Sequence, residues 1–246
     1  MMPVRSLPVL LFLAVLLLPS CSRGPSFEER KASGKTAFRE KRYADAVELL
    51  DGCAREDPRD FDVRYYLARS LEEAGQYALA LNEWEHVLLL SPSFAEGYYR
   101  KGNVLAMSRR LEAAIGAWKR ATEIDPTYSQ AYLNQGMAYE DLELWDLAMA
   151  SYLLAIQSDT TFTPAYLNLA LLFERAGEQE KALEMFDESI RFDPEFTAPY
   201  LNRIQILIGL GRTEEAAARI RELLDREDLD PATGDSLAAL LSRLEP

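Results

Sequence analysis

Residues 95–128 read AEGYYRKGNVLAMSRRLEAAIGAWKRATEIDPTY, and residues 129–162 read SQAYLNQGMAYEDLELWDLAMASYLLAIQSDTTF. Laid one over the other, the two stretches put tyrosine on tyrosine (Tyr98, Tyr132) and glycine on glycine (Gly102, Gly136). Alanine falls on alanine (Ala114, Ala148) and aromatic on aromatic (Trp118, Tyr152). A fixed period of this length marks a chain built from one repeated supersecondary unit.

The period continues in both directions. Alanine recurs at Ala46, Ala80, Ala114, Ala148, Ala182 and Ala216, each 34 residues after the last. Four residues beyond each stands a large apolar side chain: Leu50, Trp84, Trp118, Tyr152, Phe186 and Ile220. Twelve residues before each stands a small one: Gly34, Ala68, Gly102, Gly136 and Ala170, with Ile204 in the last unit. Asp57-Pro58, Ser91-Pro92, Asp125-Pro126 and Asp193-Pro194 keep the same step, and Asp159-Thr160 fills the skipped place. Each unit reads as helix A, turn, helix B. Gly75, Gly177 and Gly211 are placed to end helix A in a left-handed conformation. The X-Pro pairs stop helix B, because the residue before proline avoids helical angles. Thr163-Pro164 predicts an N-cap followed by proline in the first helical turn. The small residue of helix A and the alanine of helix B are expected where the paired helices touch.

This order of residue types at this period resembles the tetratricopeptide repeat family. The resemblance covers residues 27–230 without insertion, as six units: 27–60, 61–94, 95–128, 129–162, 163–196 and 197–230. It implies an all-α fold, a right-handed superhelical solenoid of helix-turn-helix units. One helical pair cannot bury its apolar face alone, so stacked neighbours must share a continuous core and the end units must differ. They do. Arg30 stands where later units carry Tyr98, Tyr132, Tyr166 and Tyr200, and Asp228 replaces the proline at the far end. Residues 231–246 then place Leu237, Leu240, Leu241 and Leu244 on one helical face, which predicts a capping helix over the last unit.

Residues 1–20 are different in kind. Arg5 precedes an apolar run from Val9 to Leu18, too short for a membrane span of about 20 residues but the size of a signal-peptide core. The run ends Leu18-Pro19-Ser20-Cys21, which resembles a bacterial lipobox with proline in place of the usual small residue. That resemblance implies cleavage before Cys21, lipid on its thiol, and a short anchor and linker over 21–26. The expected location is the bacterial cell envelope, held by lipid to the outer membrane and facing the periplasm.

The chain has 40 acidic and 27 basic residues, a net charge of −13, and 48% hydrophobic residues. Such a field repels phosphate backbones, so nucleic acid is not an expected partner. His86 is the one histidine, which excludes a zinc site built from histidines and a histidine-based triad. Cys53 falls where other units carry Ala121 and Ala155 and reads as a small buried residue. Glu72-Glu73 and Glu140-Asp141 are adjacent on helices, where neighbours do not face one another, and read as solvated or groove-edge charges. No catalytic residue, cofactor, metal or small-molecule substrate is expected, and the chain does not read as an enzyme.

In the family that the chain resembles, partners bind along the inner face of the A helices. Mapped onto this sequence, that face carries Tyr65, Tyr99, Leu133, Leu167 and Leu201, one per unit. Beside them lie Arg100 and then Asn134, Asn168 and Asn202; one turn on lie Arg69, Asn103, Met137, Leu171 and Gln205. An amide both donates and accepts, so three asparagines one repeat apart could hold an extended peptide backbone. The same residues could instead tie neighbouring helices together, and the leucines could be core between A helices. Some family members clamp acidic C-termini with lysine and asparagine. Here Lys31 and Lys35 are one turn apart, but Tyr66 stands where asparagine is needed and Glu96 where lysine is, so no clamp is expected.

A lipobox followed by six such units is similar to the pilotin-like lipoproteins of type IV pilus biogenesis. The expectation is a membrane-anchored scaffold that binds a peptide or helix in its groove and assists assembly of an envelope complex such as a pilus secretin. The alternative is an adaptor that docks peptidoglycan-processing enzymes. An enzyme of glycosidase type, using paired carboxylates, is the least favoured reading.

Overall fold

The computed structural model describes residues 24–245. Among them the backbone forms helices and no strand. The helices come in pairs: α1 (Phe27–Arg39) with α2 (Tyr43–Glu56), α3 (Phe61–Glu73) with α4 (Tyr77–Leu90), and α5 (Ala95–Met107) with α6 (Leu111–Ile124). Then follow α7 (Ser129–Asp141) with α8 (Trp145–Ser158), α9 (Thr163–Arg175) with α10 (Gln179–Phe192), and α11 (Thr197–Gly209) with α12 (Thr213–Leu224). A last helix, α13 (Pro231–Leu244), packs on α12. Each helix packs most closely on its sequence neighbours, which makes the chain the expected all-α solenoid.

The repeated residues explain this packing. All six periodic alanines are fully buried, and the large residue four places on is buried in every unit. The small residue of helix A leaves the room that this large side chain fills. A Cβ built on Gly102 would lie 2.4 Å from Trp118 Nε1, and one on Gly136 would lie 2.3 Å from Tyr152 Cε1. Alanine at Ala68 and Ala170 serves where Trp84 and Phe186 pack, and both alanines are fully buried. Cys53 is fully buried too, as its place in the repeat predicts.

Each A helix ends in the same way. A residue at positive φ, between 59° and 77°, follows it at Lys41, Gly75, Arg109, Glu143, Gly177 and Gly211. The next N–H then reaches back five residues, as from Gln76 to the Leu71 carbonyl at 2.8 Å and from Leu144 to Tyr139 at 2.8 Å. This closes the last turn and satisfies a carbonyl that the helix leaves open. Three units do this with glycine, as the sequence indicates. The other three do it with Lys41, Arg109 and Glu143, which carry a Cβ and lose about 1 kcal/mol or more each in that conformation.

One predicted cap is corrected. Phe162 takes the cap position before α9, with no side-chain cap bond, and Thr163 is already helical with Pro164 behind it. Proline fits there because the first N–H groups of a helix have no intrahelical acceptor to lose. The far end behaves as expected. Asp230 accepts from the N–H of Ala232 and Thr233 to start α13, and Leu237 is buried with Leu240, Leu241 and Leu244 packed beside it. No described helix is long and apolar enough to cross a membrane. Cys21 and the lipobox lie outside the described residues.

Candidate functional site

Side chains on successive A helices bond directly to one another. Lys31 reaches Asp60 at 2.6 Å, Tyr65 donates to Glu96 at 2.9 Å, and Asn134 donates to Asn103 at 2.9 Å. The B helices lie further apart and are bridged by the A helix between them, so the A helices form the shorter, inner arc. All of the predicted groove residues lie on this arc, on α3, α5, α7, α9 and α11. Met137 and Gln205 are exposed and the others are half-buried, so the row is accessible along its length.

The centre of the row is the most organised. The Asn103 carbonyl oxygen accepts from Trp118 Nε1 at 3.0 Å and from Asn134 Nδ2 at 2.9 Å. Both lone pairs are thereby used, which fixes the plane of the amide and turns its NH2 outward. Among the described residues that NH2 has no acceptor, and the Asn134 carbonyl has no donor. One bonded amide pair thus keeps a donor and an acceptor for a partner, the two kinds of group that a peptide unit pairs with. They line a depression of about 260 Å³ walled by Met107, Met137, Leu111 and Ala138, with Asp141 at its rim. Met107 is 58% exposed and Met137 48%, far more than their apolar character favours. Flexible thioether side chains at such a place adapt to varied apolar partners.

The other two asparagines behave differently. Asn168 Nδ2 donates to the Pro164 carbonyl at 2.8 Å, and Asn202 Nδ2 to Ala198 at 3.0 Å, each on its own helix. The cause lies 31 residues earlier. Asn134 faces Asn103 there, whereas Asn168 faces Met137 and Asn202 faces Leu171. With no amide opposite, the side chain turns back to the nearest free carbonyl. The predicted ladder of three equivalent amides is thus one oriented pair and two helix-bound residues. Leu167, Leu171 and Leu201 pack partly into the core of the last units, so that end of the row is shallower and partly structural.

The first units carry a charged network that the sequence does not announce. Tyr65 donates to Glu96, Arg69 donates to the Tyr65 hydroxyl at 3.2 Å, and Arg100 donates to Glu96 at 3.3 Å and to Glu72 at 3.5 Å. The Glu72 side chain is only 10% exposed, so of its two readings, solvated or groove-edge, the solvated one is corrected. Burial pushes its carboxyl up, against the pull of Arg100 and Arg69. Its second oxygen and Arg69 Nε have no partner among the described residues. Glu140 is also mostly buried, accepting from the Tyr152 hydroxyl and from Arg175. The Tyr99 and Tyr128 rings lie 4.8 Å apart beside the network, tilted by 42°, and burial, then the neighbouring Tyr99, pushes the Tyr128 hydroxyl up to about 12. Lys31 and Lys35 are held by Asp60 and Asp62, which leaves neither lysine free for a carboxylate clamp.

Glu96 and Trp118 were missed as parts of this face. The signal that finds Glu96 is the offset between facing A helices: Tyr65 to Glu96 and Asn103 to Asn134 are both 31 residues, one period less one turn.

Comparison with known proteins agrees with this architecture. Family models for the tetratricopeptide repeat match residues 37–98, 95–128, 129–162 and 163–196. The Hsp70-Hsp90 organizing protein of Triticum aestivum is 28% identical over 87 residues, which is 35% of this chain and 15% of that protein's length. Among solved structures, MamA from Desulfovibrio magneticus RS-1 matches with a TM-score of 0.63 at 21% identity, covering 69% of this chain and 96% of that one. YrrB, a TPR protein with an unusual peptide-binding site, matches with a TM-score of 0.59 at 18% identity over 73% of this chain and 92% of that one. A thermophilic TPR protein of Thermus thermophilus matches at 0.54 and 23% identity over 74% of this chain and all of that one.

Proposed function

The chain belongs to the tetratricopeptide repeat family, and from that premise we propose that it is a scaffold that holds an extended peptide segment of a partner protein along its A helices. One observation carries the proposal: the Asn103–Asn134 pair, locked by Trp118, presents a free donor and a free acceptor inside an apolar depression. Main-chain recognition of this kind grips a strand without reading its side chains, while Met107 and Met137 favour apolar ones. The charged network of Arg69, Glu72, Glu96 and Arg100 adjoins the pair, spanning α3 and the first turns of α5, and would select the segment's polar end. YrrB shows that this fold can bind a peptide.

The Leu18-Pro19-Ser20-Cys21 sequence supports a second part of the proposal, that lipid on Cys21 holds the scaffold at the outer membrane. Two acyl chains or more suffice for stable anchoring. An envelope assembly such as a pilus secretin is then the partner, with peptidoglycan enzymes as the alternative. The test is co-purification from native membranes with Asn103→Ala/Asn134→Ala. Loss of the partner from a variant with unchanged helical circular dichroism supports the proposal; full retention overturns it. Labelling with radioactive palmitate tests the anchor separately, and a Cys21→Ser variant that still incorporates label refutes it.

A further inference from the structure

The outer face of the solenoid carries a pattern that the groove does not use. On α8, Leu147, Leu153 and Leu154 are 47%, 49% and 43% exposed, with Ala150 between them. At the matching places one unit earlier, α6 carries Ala113, Lys119, Arg120 and Gly116; one unit later, α10 carries Lys181, Asp187, Glu188 and Glu184. The leucines are therefore no requirement of the repeat. They form an apolar strip flanked by a basic pair on one side and an acidic pair on the other. One turn further the signs reverse: Glu123 on α6, Gln157 on α8, Arg191 on α10.

We propose that this face binds a second copy of the same chain, on a two-fold axis running along α8. Rotation about such an axis keeps every residue at its height along the helix and exchanges the two sides. It lays the leucines of one α8 on those of the other, and α6 of each copy opposite α10 of its mate. Arg120 then faces Glu188 and Glu123 faces Arg191, so both registers join opposite charges; Lys119 comes opposite Asp187, which its own chain already pairs with the buried Arg203 at 2.7 Å. Toward the other end of the helices, Ala113 and Gly116 leave space for Lys181 and Glu184. The one like-charged register, Glu112 with Glu180, is relieved because Glu180 already pairs with Arg212 at 3.1 Å. Within one chain Arg120 pairs with Glu123 at 2.8 Å and Arg191 Nε with Glu188 at 3.0 Å. Such exposed pairs are weak and exchange readily for contacts across an interface.

The arrangement leaves both grooves open on opposite sides, which gives the assembly two equivalent binding faces. The experiment is light scattering on the full chain in detergent and reducing buffer. Two charge-neutral variants keep their own intrahelical pairs: Arg120→Glu/Glu123→Arg and Glu188→Arg/Arg191→Glu. Each alone puts like charges opposite each other and weakens self-association at least about tenfold. Mixed in equal amounts they face each other correctly and restore a mass of two chains. Leu154→Asp gives one chain with unchanged circular dichroism. A wild-type chain that scatters as a monomer overturns the proposal. So do swap variants that dimerise like wild type, or a mixture no stronger than its components.

Discussion

Replacing Gly136 by alanine sets two measurable effects against each other. Inside an open helix the change stabilises by about 1 kcal/mol, because glycine has the greater freedom to lose. At Gly136 the added Cβ meets the Tyr152 ring, with Cε1 at 2.3 Å, Cδ1 at 2.6 Å and Cζ at 2.9 Å. The ring is fully buried, and its hydroxyl is held by Glu140, itself held by Arg175 at 2.9 Å. It cannot swing aside without breaking both bonds. Forcing an extra methyl into so close a contact costs the upper part of the usual range, about 2–3 kcal/mol, so the net loss is about 1–2 kcal/mol. For a chain of this size that lowers the thermal midpoint by about 3–6 °C. Gly116 is the control: it is exposed on α6, and a Cβ there meets nothing within 4 Å. Gly116→Ala gains up to about 1 kcal/mol. Urea unfolding followed by circular dichroism, at constant slope, reads both. A Gly136→Ala variant as stable as wild type would refute the packing of helix A against the large residue of helix B.

Other outcomes follow from single features. Glu143→Gly relieves a left-handed residue that carries a Cβ and raises stability by about 1 kcal/mol, read by the same urea titration, whereas Gly177→Ala lowers it. Trp118→Phe removes the donor to Asn103 and leaves a cavity where the buried indole was larger, and costs about 2 kcal/mol or more of stability on thermal unfolding. Tyr128 holds its proton to about pH 12 when folded but releases it near 10 when unfolded, so the folded state binds more protons between those values. Stability is intact below pH 10 and falls as pH rises toward 12, which urea midpoints across that range will show; a flat profile contradicts the buried placement of the tyrosine.

The helices and their pairing were legible because every unit repeats the same steric need: a small residue opposite a large one, with an alanine beside it. The turns were legible only where glycine announced them. At Lys41, Arg109 and Glu143 the same bond to a carbonyl five residues back imposes the left-handed conformation on residues that do not prefer it. The groove was legible as a face and not as a site. Asn134, Asn168 and Asn202 sit in identical Tyr-Leu-Asn tripeptides, yet each side chain is directed by what stands 31 residues earlier. Glu72 and Glu73 read alike as solvated or groove-edge charges, but the neighbouring A helix and Arg100 cover one of the pair and not the other. Contacts between units depend on residues that a unit-by-unit reading keeps apart.

Whether the inner face holds a partner is decided most directly by photo-crosslinking in native membranes. A photoreactive residue is placed at Met137, exposed on the wall of the depression, with another at His86, exposed on α4 of the outer face, and captured proteins are identified by mass spectrometry. The Asn103–Asn134 depression predicts a discrete protein captured from Met137 and absent from His86. Capture of the same proteins from both positions, or of none from Met137, would contradict it.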